Sequence, residues 1–98
     1  MTSEPSPPAT FLTEGGTWPS GPFRPDAPAL TARAARYAAA VWAELERRGW
    51  SVDRLAFETE LPASWLAQVL RGLDWPDLDV VVRIEMALGV SFFPEDRF

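Results

Sequence analysis

The sequence contains no cysteine and no histidine among its 98 residues. Disulfide bonds, a zinc finger, a thiol nucleophile and an imidazole acid–base group are therefore excluded. A chain of this length encloses a single modest core, which leaves no room for a two-domain enzyme. We therefore expect a protein that is not an enzyme and that uses no cofactor.

Long apolar runs are also missing. No stretch approaches the roughly 20 apolar residues that a membrane-spanning helix needs. The first 16 residues lack a positively charged start, an apolar stretch and a small-residue cleavage site, so we do not expect export. These absences predict a soluble, cytoplasmic protein with no membrane partner.

Lysine is absent too, and arginine supplies all nine basic residues against 14 acidic ones, giving a formal net charge of -5. Proteins that bind nucleic acid usually carry an excess of positive charge. The acidic balance therefore lowers the affinity expected for nonspecific DNA, although the planar guanidinium suits phosphate and guanine edges. It also makes an acidic surface available to a protein partner.

Residues 1–28 form a region of distinct composition, with seven prolines and three glycines. Proline fixes the backbone and removes a hydrogen-bond donor, so this composition predicts a flexible N-terminal arm without helix or strand. Isolated aromatic residues leave a second interpretation open, in which the arm docks on the domain or on a partner. The candidate partner-binding residues of the arm are Phe11, Trp18 and Phe23.

Residues 29–98 are rich in Ala, Leu, Arg and Glu, which favour helices. Capping and terminating residues divide this region into helices. The predicted boundaries are Thr31 to about Arg48 before Gly49, Val52 to about Thr59 after the cap Ser51, Pro62 to Gly72, and Asp77 to Gly89. We predict an all-α domain of four to five helices, with a short fifth element near Phe92. The core-facing residues predicted for the fourth helix are Leu78, Val81, Ile84, Met86 and Leu88.

Residues 51–72, SVDRLAFETELPASWLAQVLRG, carry the most specific pattern in the chain. Ser51 opens a helix, Leu55 and Ala56 follow inside it, and an aliphatic residue stands in the turn before a second helix that closes with glycine. This pattern is similar to the helix-turn-helix of the Xre/Cro, or lambda-repressor-like, family. The resemblance extends to residues 76–90, PDLDVVVRIEMALGV. The chain differs from the family pattern at Val52, where the family often has glutamine, and at Glu60, which replaces a turn glycine.

The resemblance implies that the third helix enters the major groove of double-stranded DNA while the start of the second helix contacts phosphates. The DNA-binding residues that it indicates are Ser51, Arg54, Ala63, Ser64, Trp65, Gln68 and Arg71. No metal site is expected, because Asp74, Asp77 and Asp79 lack the glycine and bidentate glutamate of a calcium loop.

Two functions follow from these observations. The first is a DNA-binding transcriptional regulator, a repressor or an antitoxin-type autoregulator, that occupies operator DNA as a homodimer. The alternative keeps the helix-turn-helix as a scaffold for protein binding, with Trp65 and the arm contacting a toxin, RNA polymerase or another regulator.

Overall fold

The computed structural model describes residues 6–91. The order of elements is a 3-10 turn (Pro8–Phe11), strands β1 (Leu12–Thr17) and β2 (Gly21–Phe23), and helices α1 (Ala29–Arg48), α2 (Val52–Thr59), α3 (Ala63–Leu70) and α4 (Leu78–Leu88). The fifth element predicted near Phe92 lies outside the described residues. None of the helices in residues 6–91 combines the length and the apolar character needed to cross a membrane.

The N-terminal segment forms a two-stranded antiparallel sheet, so the all-α prediction is wrong. Leu12 pairs with Phe23, and Thr17 pairs with Gly21. The N-terminal segment lies against the helical part of the chain, where the amide of Ala9, in the 3-10 turn, donates to the carbonyl of Gly72 at 2.8 Å, and the indole N–H of Trp18, in the hairpin, donates to the carbonyl of Leu70 at 3.0 Å. Such contacts join residues far apart in sequence, and they stabilise strands that the local composition does not favour.

Side-chain caps mark the starts of α2 and α4 as predicted, whereas α3 has no side-chain cap and ends at Leu70 rather than at Gly72. The Ser51 hydroxyl accepts a hydrogen bond from the amide of Arg54 at 3.0 Å, and the Asp77 carboxylate accepts one from the amide of Val80 at 2.8 Å. Gly49 and Gly89 end their helices with the left-handed backbone that favours glycine. Local sequence signals therefore define α2, α4 and the end of α1.

The start of α1 differs from the prediction, because Thr31 is not its cap. Pro28 occupies the capping position, and its carbonyl accepts a hydrogen bond from the amide of Thr31 at 2.9 Å. Thr31 is 1 % exposed and lies inside the helix. The helix thus begins at Ala29, and its capping position lies three residues before the predicted cap, Thr31.

One cluster of buried side chains joins all four helices. Its members are Tyr37, Val41, Leu45, Leu55, Ala56, Leu66, Leu70, Val80, Ile84 and Leu88. On α4 the inward residues follow steps of four, so they share one face of the helix. Leu78 and Met86 lie on the other side and are 79 % and 77 % exposed, contrary to the prediction that they face the core. Val80 occupies the inward position instead.

Candidate nucleic-acid interface

Helices α2 and α3 pack against each other across a three-residue turn, residues 60–62. Glu60 adopts the left-handed backbone at φ 59° and ψ 36°, the conformation for which a turn glycine is favourable. Just after it, the amide of Leu61 donates to the carbonyl of Ala56 at 3.1 Å. Ala56 is buried, and its small side chain allows the close approach of the two helices. The turn therefore positions α3 across α2.

Three polar side chains lie on the outward side of α3 and of its C-cap residue, Arg71. Ser64, Gln68 and Arg71 are all exposed, and their spacing of four and three residues puts them on one face. The opposite face buries Leu66 and Leu70 in the core. The burial of these two leucines fixes the rotation of α3 about its axis, which presents the polar face to solvent.

A groove of about 430 Å³ runs between the start of α2 and the outward side of α3. Its lining residues are Ser51, Val52, Asp53, Ala63, Ser64, Ala67 and Arg71. The structure thus brings together four of the predicted DNA-binding residues, Ser51, Ala63, Ser64 and Arg71. Gln68 lies beside them on the exposed face of α3 but does not line the groove.

Two residues of the groove were missed by the sequence reasoning. Asp53 was not considered, although it follows the capping Ser51 by two positions and lies in the first turn of α2. Ala67 was also missed, although it lies four residues from both Ala63 and Arg71. The helical repeat would have revealed Ala67, since residues four apart share a face.

Arg54 and Trp65 have other surroundings. The Arg54 guanidinium binds Glu58 at 2.9 Å and lies over the Trp50 ring, 4.5 Å from its centroid. Trp65 is half-buried and packs against the core, and its indole N–H donates to Asp74 at 3.1 Å. Both side chains are therefore already hydrogen-bonded within the chain, and neither is part of the exposed polar row of Ser64, Gln68 and Arg71.

Ion pairs within residues 6–91 occupy several of the arginines. Arg47 and Arg48 both bind Glu44, and their hydrogen bonds lower the pKa of that carboxyl to about 2. Arg83 binds Asp79 at 3.0 Å. No carboxylate of the described residues forms an ion pair with Arg71. Its positive charge therefore remains available on the surface of α3.

The aromatic residues predicted to contact a partner lie in or beside the hairpin. The Trp18 and Phe23 rings meet edge to face, with centroids 6.0 Å apart. The Arg24 guanidinium lies 5.4 Å from the centroid of the Phe11 ring. All three aromatic side chains are half-buried, and the Trp18 indole N–H donates to the carbonyl of Leu70 at 3.0 Å.

The acidic residues around α4 have structural partners. Asp74 accepts hydrogen bonds from Trp65 and from the amide of Trp75, and Asp77 caps α4. Asp79 binds Arg83. Within residues 6–91 there is no group of three or more metal-ligating side chains that could hold a metal ion.

No protein-family model matches the chain, and no match was found among curated proteins or among solved structures.

Proposed function

We propose that the protein is a DNA-binding transcriptional regulator that inserts α3 into the major groove of operator DNA. The observation that carries this proposal is the exposed row of Ser64, Gln68 and the C-cap residue Arg71 along α3, the helix that follows α2 after a three-residue turn. Glutamine pairs with adenine through two hydrogen bonds, arginine pairs with guanine in the same way, and serine is compatible with either base. The row therefore offers a short, sequence-dependent set of contacts.

The start of α2 would contact the phosphate backbone. The groove lies at the N-terminus of α2, where the helix dipole gives a partial positive charge that favours an anion. Ser51 caps this terminus, and Arg71 lies across the same groove. The Asp53 carboxylate opposes a phosphate at this position, so we expect few phosphate contacts and a shallow dependence on salt.

Dimeric binding follows from the small number of reading residues. A good base contact contributes roughly 1 to 3 kcal/mol of discrimination, so three side chains select an operator poorly in a single copy. Two copies on a two-fold symmetric site double the contacts. We therefore propose a homodimer in the cytoplasm that acts as a repressor or an antitoxin-type autoregulator by occupying its operator.

Fluorescence anisotropy tests this proposal with the full chain and DNA from the region upstream of its own gene. The proposal predicts tighter binding to this DNA than to a scrambled duplex of equal length. It also predicts a slope of log affinity against log salt of about -2 to -4, corresponding to a few phosphate contacts. Equal affinity for both duplexes at physiological salt would contradict sequence-specific binding.

An exposed apolar row on α4 favours a second candidate function, that of a protein-binding adaptor. Leu78, Val82 and Met86 follow each other at steps of four on the solvent side of the helix. Exposed apolar surface of this kind is typical of protein contacts. The adaptor function would use this row, rather than Trp65, to bind a toxin, RNA polymerase or another regulator.

The two functions are separated by a variant that changes only the α4 row. Met86→Ser leaves the outward face of α3 untouched and removes an exposed apolar side chain. Under the adaptor function, Met86→Ser weakens the binding of the protein partner. Under the DNA-binding function, it leaves operator affinity within about twofold of the wild type, because substitutions away from the interface have small effects.

A further inference from the structure

One acidic side chain, Asp53, lies in the groove between α2 and α3. It shares this groove with Arg71, and both side chains are exposed. Neither of them forms an ion pair or a side-chain hydrogen bond with another of residues 6–91. A carboxylate only accepts hydrogen bonds and a guanidinium only donates them. The groove therefore presents one acceptor group and one donor group of opposite charge to whatever binds there.

The arginine next to Asp53 in the sequence does not neutralise it. The Arg54 guanidinium binds Glu58 at 2.9 Å, one turn further along α2, and lies over the Trp50 ring. The other residues that line the groove are uncharged, namely Ser51, Val52, Ala63, Ser64 and Ala67. The carboxylate of Asp53 therefore meets a bound molecule without an ion-pair partner from the protein.

Duplex DNA offers few partners to a carboxylate. The phosphate oxygens repel it, and guanine and thymine present acceptors to the major groove. The hydrogen-bond donors of that groove are the amino groups of cytosine and adenine, and aspartate pairs typically with the N4 amino group of cytosine. Removing water from a carboxylate that finds no donor is costly, because the charge is then left unpaired. The chemistry of Asp53 therefore discriminates between DNA sequences.

We propose, on the basis of the proposed DNA-binding function, that Asp53 is a specificity-determining residue that requires a cytosine amino group in the operator. In operator DNA this amino group donates to the carboxylate, whereas other sequences leave the carboxylate facing acceptors or phosphates. Asp53 thus weakens binding to non-cognate DNA more than binding to the operator, since an unpaired charge rejects the wrong partner. Gln68 and Arg71 select the operator by attraction, and Asp53 selects it by exclusion.

Selection of bound duplexes from a randomised pool, followed by sequencing, tests this role with the full wild-type chain and with Asp53→Asn. Asparagine keeps the size of the side chain and removes its charge, and its amide group donates as well as accepts. It therefore tolerates base edges that repel a carboxylate. We expect a cytosine preference at one position of each half-site in the wild-type selection. Asp53→Asn should lose this preference and keep the preferences at the other positions.

The ratio of affinities for the selected operator and for a scrambled duplex provides a second measurement. Asp53→Asn should bind the scrambled duplex more tightly, because the repulsion of phosphate is removed. The ratio should fall by at least about fivefold, the lower end of the discrimination that one base contact gives. Glu46→Gln removes the same charge from the exposed surface of α1, outside the groove, and should leave the ratio and the base preferences unchanged.

The outcomes separate this role from the proposed function itself. Base preferences and an affinity ratio that stay at wild-type values in Asp53→Asn would overturn the role of Asp53 and leave DNA binding by α3 intact. The same holds if Asp53→Asn changes only the melting temperature, since an acidic residue in the first turn of α2 also stabilises the helix. An equal fall of the ratio in Glu46→Gln would assign the effect to net charge and overturn the role as well. A wild-type selection that enriches no sequence would overturn both proposals.

Discussion

Trp18 and Trp42 share one hydrogen-bond acceptor, because both indole N–H groups donate to the carbonyl oxygen of Leu70, at 3.0 and 2.9 Å. Leu70 is the last residue of α3, and carbonyls at a helix end have no donor within the helix. The hairpin and α1 together satisfy both lone pairs of this oxygen. They therefore hold the end of α3 next to Arg71, one of the proposed DNA-reading residues.

Gly72 follows this joint, and its replacement tests how tightly the hairpin packs. A Cβ atom at Gly72 would lie 2.5 Å from the Trp18 ring, and the residue has φ of +77°. We expect Gly72→Ala to lower the free energy of unfolding by about 2 to 4 kcal/mol, through overpacking and backbone strain together. Chemical denaturation measures the loss.

Gly49→Ala provides a matched control for Gly72→Ala. Gly49 has a similar φ of +69°, but no atom lies within 4 Å of its added Cβ. Only the backbone strain remains there, a cost of about 1 kcal/mol. In a Trp18→Ala background, the loss of unfolding free energy caused by Gly72→Ala should fall to the same value. Equal losses for Gly72→Ala and Gly49→Ala in the wild-type background would show that the Trp18 ring does not constrain this position.

Glu60 is the one residue other than glycine with positive φ among residues 6–91, and it stands in the turn between α2 and α3. Glycine adopts this backbone without a Cβ clash, so Glu60→Gly should raise the free energy of unfolding by about 0.5 to 1 kcal/mol. Glu60→Gln removes the same negative charge and keeps the Cβ. A thermal melt in which Glu60→Gln stabilises as much as Glu60→Gly would assign the effect to charge rather than to backbone strain.

The sequence predicted the helices well where the determining signals are local. Ser51 and Asp77 cap helices as expected, because a short polar side chain bonds an amide three residues ahead. The rotation of α4 was predicted less well. Its sequence is apolar on more than one face, so the periodicity did not distinguish Val80, which is buried, from Leu78, which is exposed.

The hairpin was beyond local prediction, because its contacts are made with residues distant in sequence. Trp18 bonds to Leu70, 52 positions away, and Trp75 bonds to Ser6, 69 positions away. The candidate site was also predicted only in part, because some of its contacts depend on residues outside α3. The helical repeat indicated Ser64, Gln68 and Arg71, but it did not show that Trp65 packs against the core and donates to Asp74 in the following loop.

Leu66 tests the common core of α2, α3 and α4. It has no exposed surface and belongs to the same buried cluster as Leu55 and Ile84. Leu66→Ala should lower the free energy of unfolding by about 2 to 5 kcal/mol, a large part of the stability of so small a domain. Leu78→Ala removes the same atoms from an exposed position and should change stability by less than about 0.5 kcal/mol. Similar melting temperatures for the two variants would contradict the described packing.

The Glu44 ion pairs predict a pH dependence of stability. Hydrogen bonds from Arg47 and then Arg48 lower the pKa of Glu44 from 4.5 to about 2. A carboxyl whose pKa falls on folding stabilises the protein fully above its unfolded pKa, and this contribution disappears as the pH falls through about 2. The stability difference between wild type and Glu44→Gln should therefore shrink from pH 5 towards pH 2, as denaturation at a series of pH values will show.

Glu46→Gln controls for the loss of an acidic charge on α1. Glu46 is exposed, and no arginine within residues 6–91 forms an ion pair with it. A difference between wild type and Glu44→Gln that stayed constant from pH 5 to pH 2 would contradict the coupling of Glu44 to Arg47 and Arg48.

The central claim, that the outward face of α3 reads DNA, is tested most directly by anisotropy titrations of Gln68→Ala and Arg71→Ala on operator and scrambled duplexes. Gln68→Ala should weaken operator binding by about 1 to 3 kcal/mol, roughly 5- to 150-fold, and leave the scrambled duplex unaffected. Arg71→Ala should weaken both duplexes and reduce the salt slope by about 1 if its guanidinium contacts phosphate. Arg36→Ala, the matched control on α1, should change neither. Operator binding by both α3 variants with wild-type affinity and salt slope would contradict the claim.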